Sequence, residues 1–142
     1  MEVMEISDPG LLARARQALT VPLQQALGAA LLDPGDPAAG VRFEIGELAG
    51  DGGGGLHADA LNVIVELAGY LAVLPVLADH EHAVTDAIST QLFASARRGD
   101  RVTVSGTLDR RTGRLAFVSV LASVEEHTIA RSQLTKSIVQ RA

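Results

Sequence analysis

The sequence predicts an α+β domain in which an antiparallel β-sheet wraps around one long, buried helix. The stretch from Gly52 to Leu77 begins with four glycines and continues as a segment that is apolar on nearly every side. A helix of that composition is buried. From residue 84 onward the apolar residues recur with a period of two, in four segments separated by turn residues. One long helix and one sheet form a two-layer α+β architecture.

The region before the central helix predicts two short helices and one strand. Residues 7–8 offer a cap for a first helix, with Pro9 near its first position. Apolar residues within 23–31 continue as a second short helix, and the turn residues of 33–37 end it. Apolar and charged residues then alternate, which predicts a first strand over about 40–48.

The region from the glycine run to the end predicts the central helix and four strands. The helix is expected to begin near His57 and to end or kink at Pro75. The strands are expected at 84–93, 102–107, 115–124 and 127–139. The segment 115–124 is almost continuously apolar, so we expect it to lie in the middle of the sheet.

Composition limits the classes of protein and site. The 142 residues suffice for one domain, with 1–39 as an N-terminal helical extension and 40–142 as the core. A net charge of −5 argues against general nucleic-acid binding. Without cysteine there is no disulfide, thiolate metal site or cysteine nucleophile. We find no residue cluster typical of a metal site. The first residues lack the layout of a signal peptide, so we expect a cytoplasmic protein.

A narrow polar stripe interrupts the central helix. Asp59, Asn62, Glu66 and Tyr70 are separated by three, four and four residues, so they share one helix face. Polar groups at these positions make a membrane span unfavourable, and we expect no membrane partner. We expect the helix to bury Glu66, and a buried carboxylate must be paired, protonated or in use.

The helix start resembles that of the hotdog-fold acyl-CoA thioesterases, in particular the PaaI-like and 4-hydroxybenzoyl-CoA thioesterase branches. The resemblance lies in LHADAL at 56–61 and ELAG at 66–69. In those enzymes the helix opens with His-Gly-Gly, and a catalytic Asp or Glu follows nine residues after the histidine. Nine residues after His57 is Glu66. The strands that follow are also similar, so that the resemblance covers roughly 41–139.

The resemblance implies a hotdog fold, thioester hydrolysis and a set of site residues. Glu66 would act as a nucleophile or as a general base. The backbone N–H groups of Ala58 and Asp59 would bind the thioester oxygen, and His57 would orient that region. The implied substrate-binding residues are Gly55, Asn62, Tyr70, Arg97, Arg98, Arg110, Arg111 and Arg114, with the arginines placed to hold coenzyme A phosphates.

The same resemblance implies an acyl-CoA substrate, no cofactor beyond the coenzyme A of that substrate, and a homodimer or homotetramer in which one chain completes the site of another. Ala58 and Asp59 stand where the family has two glycines. One alternative is therefore a non-catalytic acyl-CoA-binding or regulatory module. Another is a structural oligomerisation domain, in which the polar stripe is a satisfied buried network. The arginines, individually, are equally consistent with solvated turns.

Overall fold

The computed structural model describes residues 9–141 and contains three α-helices and six strands within that range. The helices are α1 (Pro9–Leu19), α2 (Pro22–Ala26) and α3 (Ala58–Val73). The strands are β1 (Ala30–Leu31), β2 (Val41–Glu44), β3 (Glu81–Leu92), β4 (Arg101–Thr112), β5 (Leu115–Val124) and β6 (His127–Gln140). The α+β prediction is confirmed, and the four strands after the helix lie where the period-two pattern predicts them.

All six strands form one antiparallel sheet in the order β1-β2-β4-β5-β6-β3. The long β5 lies between β4 and β6, as its continuous apolar sequence predicts. The β3 strand, first in the chain after α3, is an edge strand of the sheet. Its outer hydrogen-bonding edge is therefore free for another strand.

The inner face of the sheet is the one that packs on α3. Alternate residues of β4, β5 and β6 are buried there, as expected for a sheet with one covered face. The buried side of α3 contributes Leu61, Ile64 and Leu71, each fully buried. The helix with its following turn, 58–76, is long and apolar enough to cross a membrane, but more than half of its most apolar window is buried inside the protein. It is the core helix of a folded domain.

The N-terminal region differs from the prediction after α2. The second helix ends at Ala26, and Gly28 adopts a positive φ of 78° that helical residues do not have. Residues 30 and 31 then pair with Arg42 and Val41 as the short edge strand β1. The first helix is confirmed from Pro9, whereas its expected cap at 7–8 lies outside the described residues. The division of the domain at residues 39 and 40 stays a prediction.

Gly106 sets how closely α3 approaches the sheet. A Cβ atom at this position of β4 would lie 2.9 Å from the Ala68 carbonyl oxygen and 3.1 Å from the Ala72 Cβ. The obstacle is helix backbone, which cannot rotate away, so an added methyl group must push α3 off the strand.

We therefore expect Gly106→Ala to lower the free energy of unfolding by about 2 kcal/mol. Gly46→Ala is the control, because a Cβ there meets nothing within 4 Å. It should change the free energy of unfolding by less than about 0.5 kcal/mol. Urea denaturation of the two variants checks this, and equal midpoints would show that α3 does not rest on Gly106.

Candidate functional site

The polar stripe of α3 lies at the margin of the contact between helix and sheet, where Glu66 and Tyr70 border a cavity with residues of β3 and β6. Asp59 and Glu66 are exposed, and Asn62 and Tyr70 are partly buried, while the residues between them are mostly buried. The expected burial of Glu66 is therefore wrong for the single chain. The physical reason is that the sheet covers only one side of the helix, so the stripe is left open. The structure thus shows an accessible carboxylate in the middle of an otherwise apolar helix.

His57 caps the start of α3. Its backbone is extended and its Nδ1 accepts a hydrogen bond from the Asp59 N–H at 3.0 Å. That N–H is therefore occupied, whereas the Ala58 N–H makes no hydrogen bond with any described residue. The Asp59 carboxylate is almost fully exposed and lies 4.0 Å from His57 Nδ1. Of the two expected oxyanion donors, only the Ala58 amide is free in this structure.

The glycine run forms a folded turn. Asp51 Oδ1 accepts hydrogen bonds from the N–H groups of Gly53 at 2.7 Å and Gly55 at 3.0 Å. These bonds, that from Gly53 above all, lower the pKa of the Asp51 carboxyl. Gly55 also bridges to Arg97 in the β3–β4 turn. The Gly55 N–H is thus already paired, and a contact of Gly55 with substrate stays a prediction.

The five candidate arginines fall into two groups at opposite ends of β4. Arg97 and Arg98 precede this strand, and Arg110, Arg111 and Arg114 lie at its far end. A strand of 12 residues separates the groups by roughly 35 Å. One bound coenzyme A therefore does not reach both groups of the same chain.

Arg111 is engaged within the chain. It forms an ion pair with Glu81 at 2.8 Å and donates to the Val76 carbonyl oxygen at 2.6 Å. The hydrogen bond from Arg111 is the main cause that lowers the pKa of Glu81 to about 2. Arg111 thus joins the end of the central helix region to β3 and β4. Its expected phosphate contact would require this pair to break.

A pocket of about 410 Å³ opens beside Glu66. Residues of α1, α3, β3 and β6 line it, including Arg14, Glu66, Tyr70, His82, Thr85 and Lys136. The rings of Tyr70 and His82 lie 5.4 Å apart at 54°. Burial, reinforced by the nearby positive charges of Arg14, Lys136 and Arg141, lowers the pKa of His82, so this imidazole is neutral at pH 7. The expected residues Glu66 and Tyr70 therefore share one cavity, to which Arg14 of the N-terminal helix contributes.

Lys136 forms the floor of this pocket and is only 2% exposed. Its stem passes beneath Gly69, where a Cβ atom would lie 3.4 Å from Lys136 Cε. Its Nζ donates to Thr85 Oγ1 at 2.8 Å. Burial lowers the pKa of Lys136 to about 8, although the negative charge of Glu66 opposes this. The two charges interact but lie more than 4.0 Å apart, since no ion pair between described residues joins them.

Sequence analysis did not assign three residues of the pocket to the site: Lys136, His82 and Thr85. Lys136 occupies the same phase of β6 as the buried Leu134 and Ile138, so a lysine in the apolar phase of a strand was the signal. His82 and Thr85 lie in the first half of β3, at positions where polar residues are common, and carry no such signal. Asn62, which was expected, has a buried Oδ1 with no hydrogen-bond donor among the described residues. Within residues 9–141, no group of three or more His, Asp or Glu side chains is arranged to hold a metal ion.

The model of one protein family, described as fluoroacetyl-CoA-specific thioesterase, matches residues 57–142. The match begins at His57 and includes the polar stripe and Lys136. This chain belongs to that thioesterase family. The expected enzyme class and the hotdog thioesterase superfamily are thereby confirmed. No curated protein matches the chain of this thioesterase.

Solved structures confirm the hotdog fold of this thioesterase. A mutant thioesterase from Pseudomonas aeruginosa superposes with a TM-score of 0.82 at 16% identity, over 97% of this chain and 98% of that one. A thioesterase from Haemophilus influenzae gives 0.79 at 18% identity, over 91% and 90%. A Bacillus halodurans protein solved with CoA gives 0.76 at 17% identity, over 92% and 83%. At these identities the similarity establishes the fold.

Proposed function

We propose that this thioesterase hydrolyses acyl-CoA thioesters with Glu66 as its catalytic carboxylate. The observation that carries the proposal is the placement of Glu66, an exposed carboxylate on an apolar helix at the edge of a cavity. It acts as a nucleophile that forms an anhydride, or as a base that takes a proton from water as the water attacks the thioester carbonyl. Either route releases the CoA thiol and the free acid.

The distance between Glu66 and the helix start supports a site built from two chains. Ala58 and Glu66 are eight residues apart on one straight helix, which corresponds to roughly 12 Å along its axis. A carbonyl whose oxygen binds the Ala58 N–H must have its carbon about 3 Å from the attacking group. Glu66 of the same chain cannot reach it. We therefore place Ala58 of one chain opposite Glu66 of another.

The free edge of β3 supplies the surface for such a pair. Its Ile88 and Leu92 pair with residues of β6 that face the helix side, yet they are 37% and 38% exposed because α3 does not extend over them. Unpaired strand edges with apolar side chains associate with other strands. We propose a homodimer joined through β3, with further association into a homotetramer left open. In this assembly His57 holds the helix start that carries the Ala58 amide.

The remaining parts of the proposal concern partners and location. Asn62 and Tyr70 shape the acyl site beside Glu66, and Arg97 or Arg98 meets the phosphates of coenzyme A. The net charge of −5 supports the absence of a nucleic-acid partner. We propose a cytoplasmic enzyme without a membrane partner, and with no cofactor other than the coenzyme A carried by its substrate.

The experiment is a thiol-release assay with acetyl-CoA, fluoroacetyl-CoA, short and medium straight-chain acyl-CoAs and an aryl-CoA. The sequence has no cysteine, so a thiol reagent detects only released CoA. We expect steady turnover of at least one member. Thermal stabilisation by a member without any turnover would instead support the binding module, because a ligand raises stability by mass action. If no member is turned over and none stabilises the protein, the result would support the oligomerisation domain.

A further inference from the structure

The pocket beside Glu66 carries an excess of positive charge. Arg14, Lys136 and Arg141 line it with Glu66 as the one opposing carboxylate among the lining residues, and His82 is neutral. The excess is therefore two positive charges at pH 7. Lys136 is almost fully buried, where a lone charge is costly unless a counter-charge is present. This pocket is suited to a bound anion.

Two of these cations have hydrogen-bond donors left over. An ammonium group has three N–H bonds, and Lys136 Nζ donates one of them to Thr85 Oγ1. The Nη atoms of Arg14 donate to the carbonyl oxygens of Ala78 and Glu81. Its Nε is buried and donates to no acceptor among the described residues. The remaining N–H bonds of the Arg14 Nη atoms and of Lys136 Nζ can therefore donate to an acceptor that a ligand brings into the pocket.

We propose that this pocket binds the far end of the acyl group and that this end carries a carboxylate, so that the preferred substrates are CoA half-thioesters of dicarboxylic acids. Lys136 at the floor and Arg14 at the wall bind that carboxylate, while the thioester carbonyl stays beside Glu66. This inference rests on the proposed function and names its substrate class. Lys136 and Arg14 thus become specificity-determining residues.

The phosphates of coenzyme A are the other anions at hand. Lys136 is only 2% exposed and lies beneath Gly69 of the helix. A diphosphate attached to a nucleotide is too large to reach that floor, whereas the end of a short acyl chain is not. We therefore assign the buried charge to the acyl group, and the experiment below distinguishes the two sources.

The test compares substrates that differ only in charge at the acyl end. Malonyl-CoA is paired with isovaleryl-CoA, and glutaryl-CoA with 5-methylhexanoyl-CoA, because an isopropyl group has nearly the shape of a carboxylate. We expect kcat/KM of the wild type to be at least about 10-fold higher for one carboxylated substrate than for its partner. The two pairs differ in the length of the acyl chain. The pair with the larger ratio therefore indicates which chain length spans the distance from Glu66 to Lys136 at the floor of the pocket.

The variant Lys136→Met keeps an unbranched side chain, one heavy atom shorter than lysine, and removes the charge. We expect the ratio of kcat/KM values within the preferred pair to fall about 100-fold. Arg14→Gln should lower the same ratio by about 10-fold, and it tests the inference independently if the first variant does not fold. Arg42→Gln is the matched control, because Arg42 is exposed on β2 and does not line the pocket. It should leave the ratio unchanged.

The outcomes separate the inference from the function on which it rests. Turnover of the branched, uncharged substrates with ratios of one or less overturns the inference and leaves the thioesterase intact. An equal loss for both members of a pair in Lys136→Met shows that Lys136 holds coenzyme A phosphates, which also overturns it. No release of thiol from any thioester overturns the proposed function itself.

Discussion

Replacing Glu66 by glutamine is expected to lower kcat by about 10³-fold with the best acyl-CoA substrate. Glutamine has the shape of glutamate but neither accepts a proton from water nor attacks a thioester carbon. Glu66 is exposed, so the substitution should change the free energy of unfolding by less than about 0.5 kcal/mol. Initial rates of thiol release together with urea denaturation check both statements.

Glu44→Gln is the matched control for this variant. Glu44 is an exposed glutamate on β2 and does not line the pocket. The control variant should retain the activity of the wild type. Retention of more than about a tenth of kcat in Glu66→Gln would remove Glu66 from the chemistry, because general-base or nucleophilic roles contribute far more than that.

The second large effect concerns Lys136 and alkaline pH. The folded protein holds the pKa of this lysine at about 8, whereas its ordinary value is 10.5. Between these values the unfolded chain binds a proton that the folded chain has released. Stability therefore rises as pH increases through this window, by about 3 kcal/mol in total. Below pH 8 both states are protonated, and the folded state carries the full cost of the buried charge.

Lys136→Met isolates this effect from the other groups that titrate in the same range. The charged or titratable groups around Lys136 are Glu66 and Tyr70 on α3, His82 on β3, Arg14 on α1 and Arg141 after β6. The variant should be the more stable protein at pH 7, and its advantage should shrink by about 3 kcal/mol between pH 8 and pH 10.5. Urea titrations of both proteins at several pH values measure the difference. A constant difference would mean that Lys136 is not desolvated in the folded state.

Periodicity was sufficient to predict the sheet and the central helix. The apolar alternation of β4, β5 and β6 reflects one covered face of a sheet, and this physical cause acts within a few neighbouring residues. The prediction that the second helix extends through residues 30–31 is wrong because a contact between distant segments determines the structure there. These residues form a strand because β2 is beside them, which is a contact between distant segments that a local pattern does not encode.

The site was predictable only as far as the helix and the family resemblance extend. The stripe spacing correctly places Asp59, Asn62, Glu66 and Tyr70 on one face, but apolar content alone could not show that this face is open. Lys136 lies on β6, far from Glu66 in sequence, and the sheet brings them to one pocket. The sequence does not distinguish the two arginine groups, whereas the length of β4 keeps them apart in the structure.

The most direct test of a carboxylate-dependent site shared by two chains is complementation between two inactive variants. Glu66→Gln lacks the carboxylate, and Ala58→Pro lacks the free amide. Proline is favoured at the first position of a helix, and the extended backbone of His57 is compatible with a following proline. Each variant alone should be inactive in the thiol-release assay.

Co-expression of the two variants as mixed dimers is the measurement. Half of randomly formed dimers contain one chain of each kind, and each of these has one intact site out of two. We therefore expect about one quarter of the wild-type rate. A mixture that stays as inactive as its components would contradict the account, because it would show that Glu66 and Ala58 do not meet across two chains.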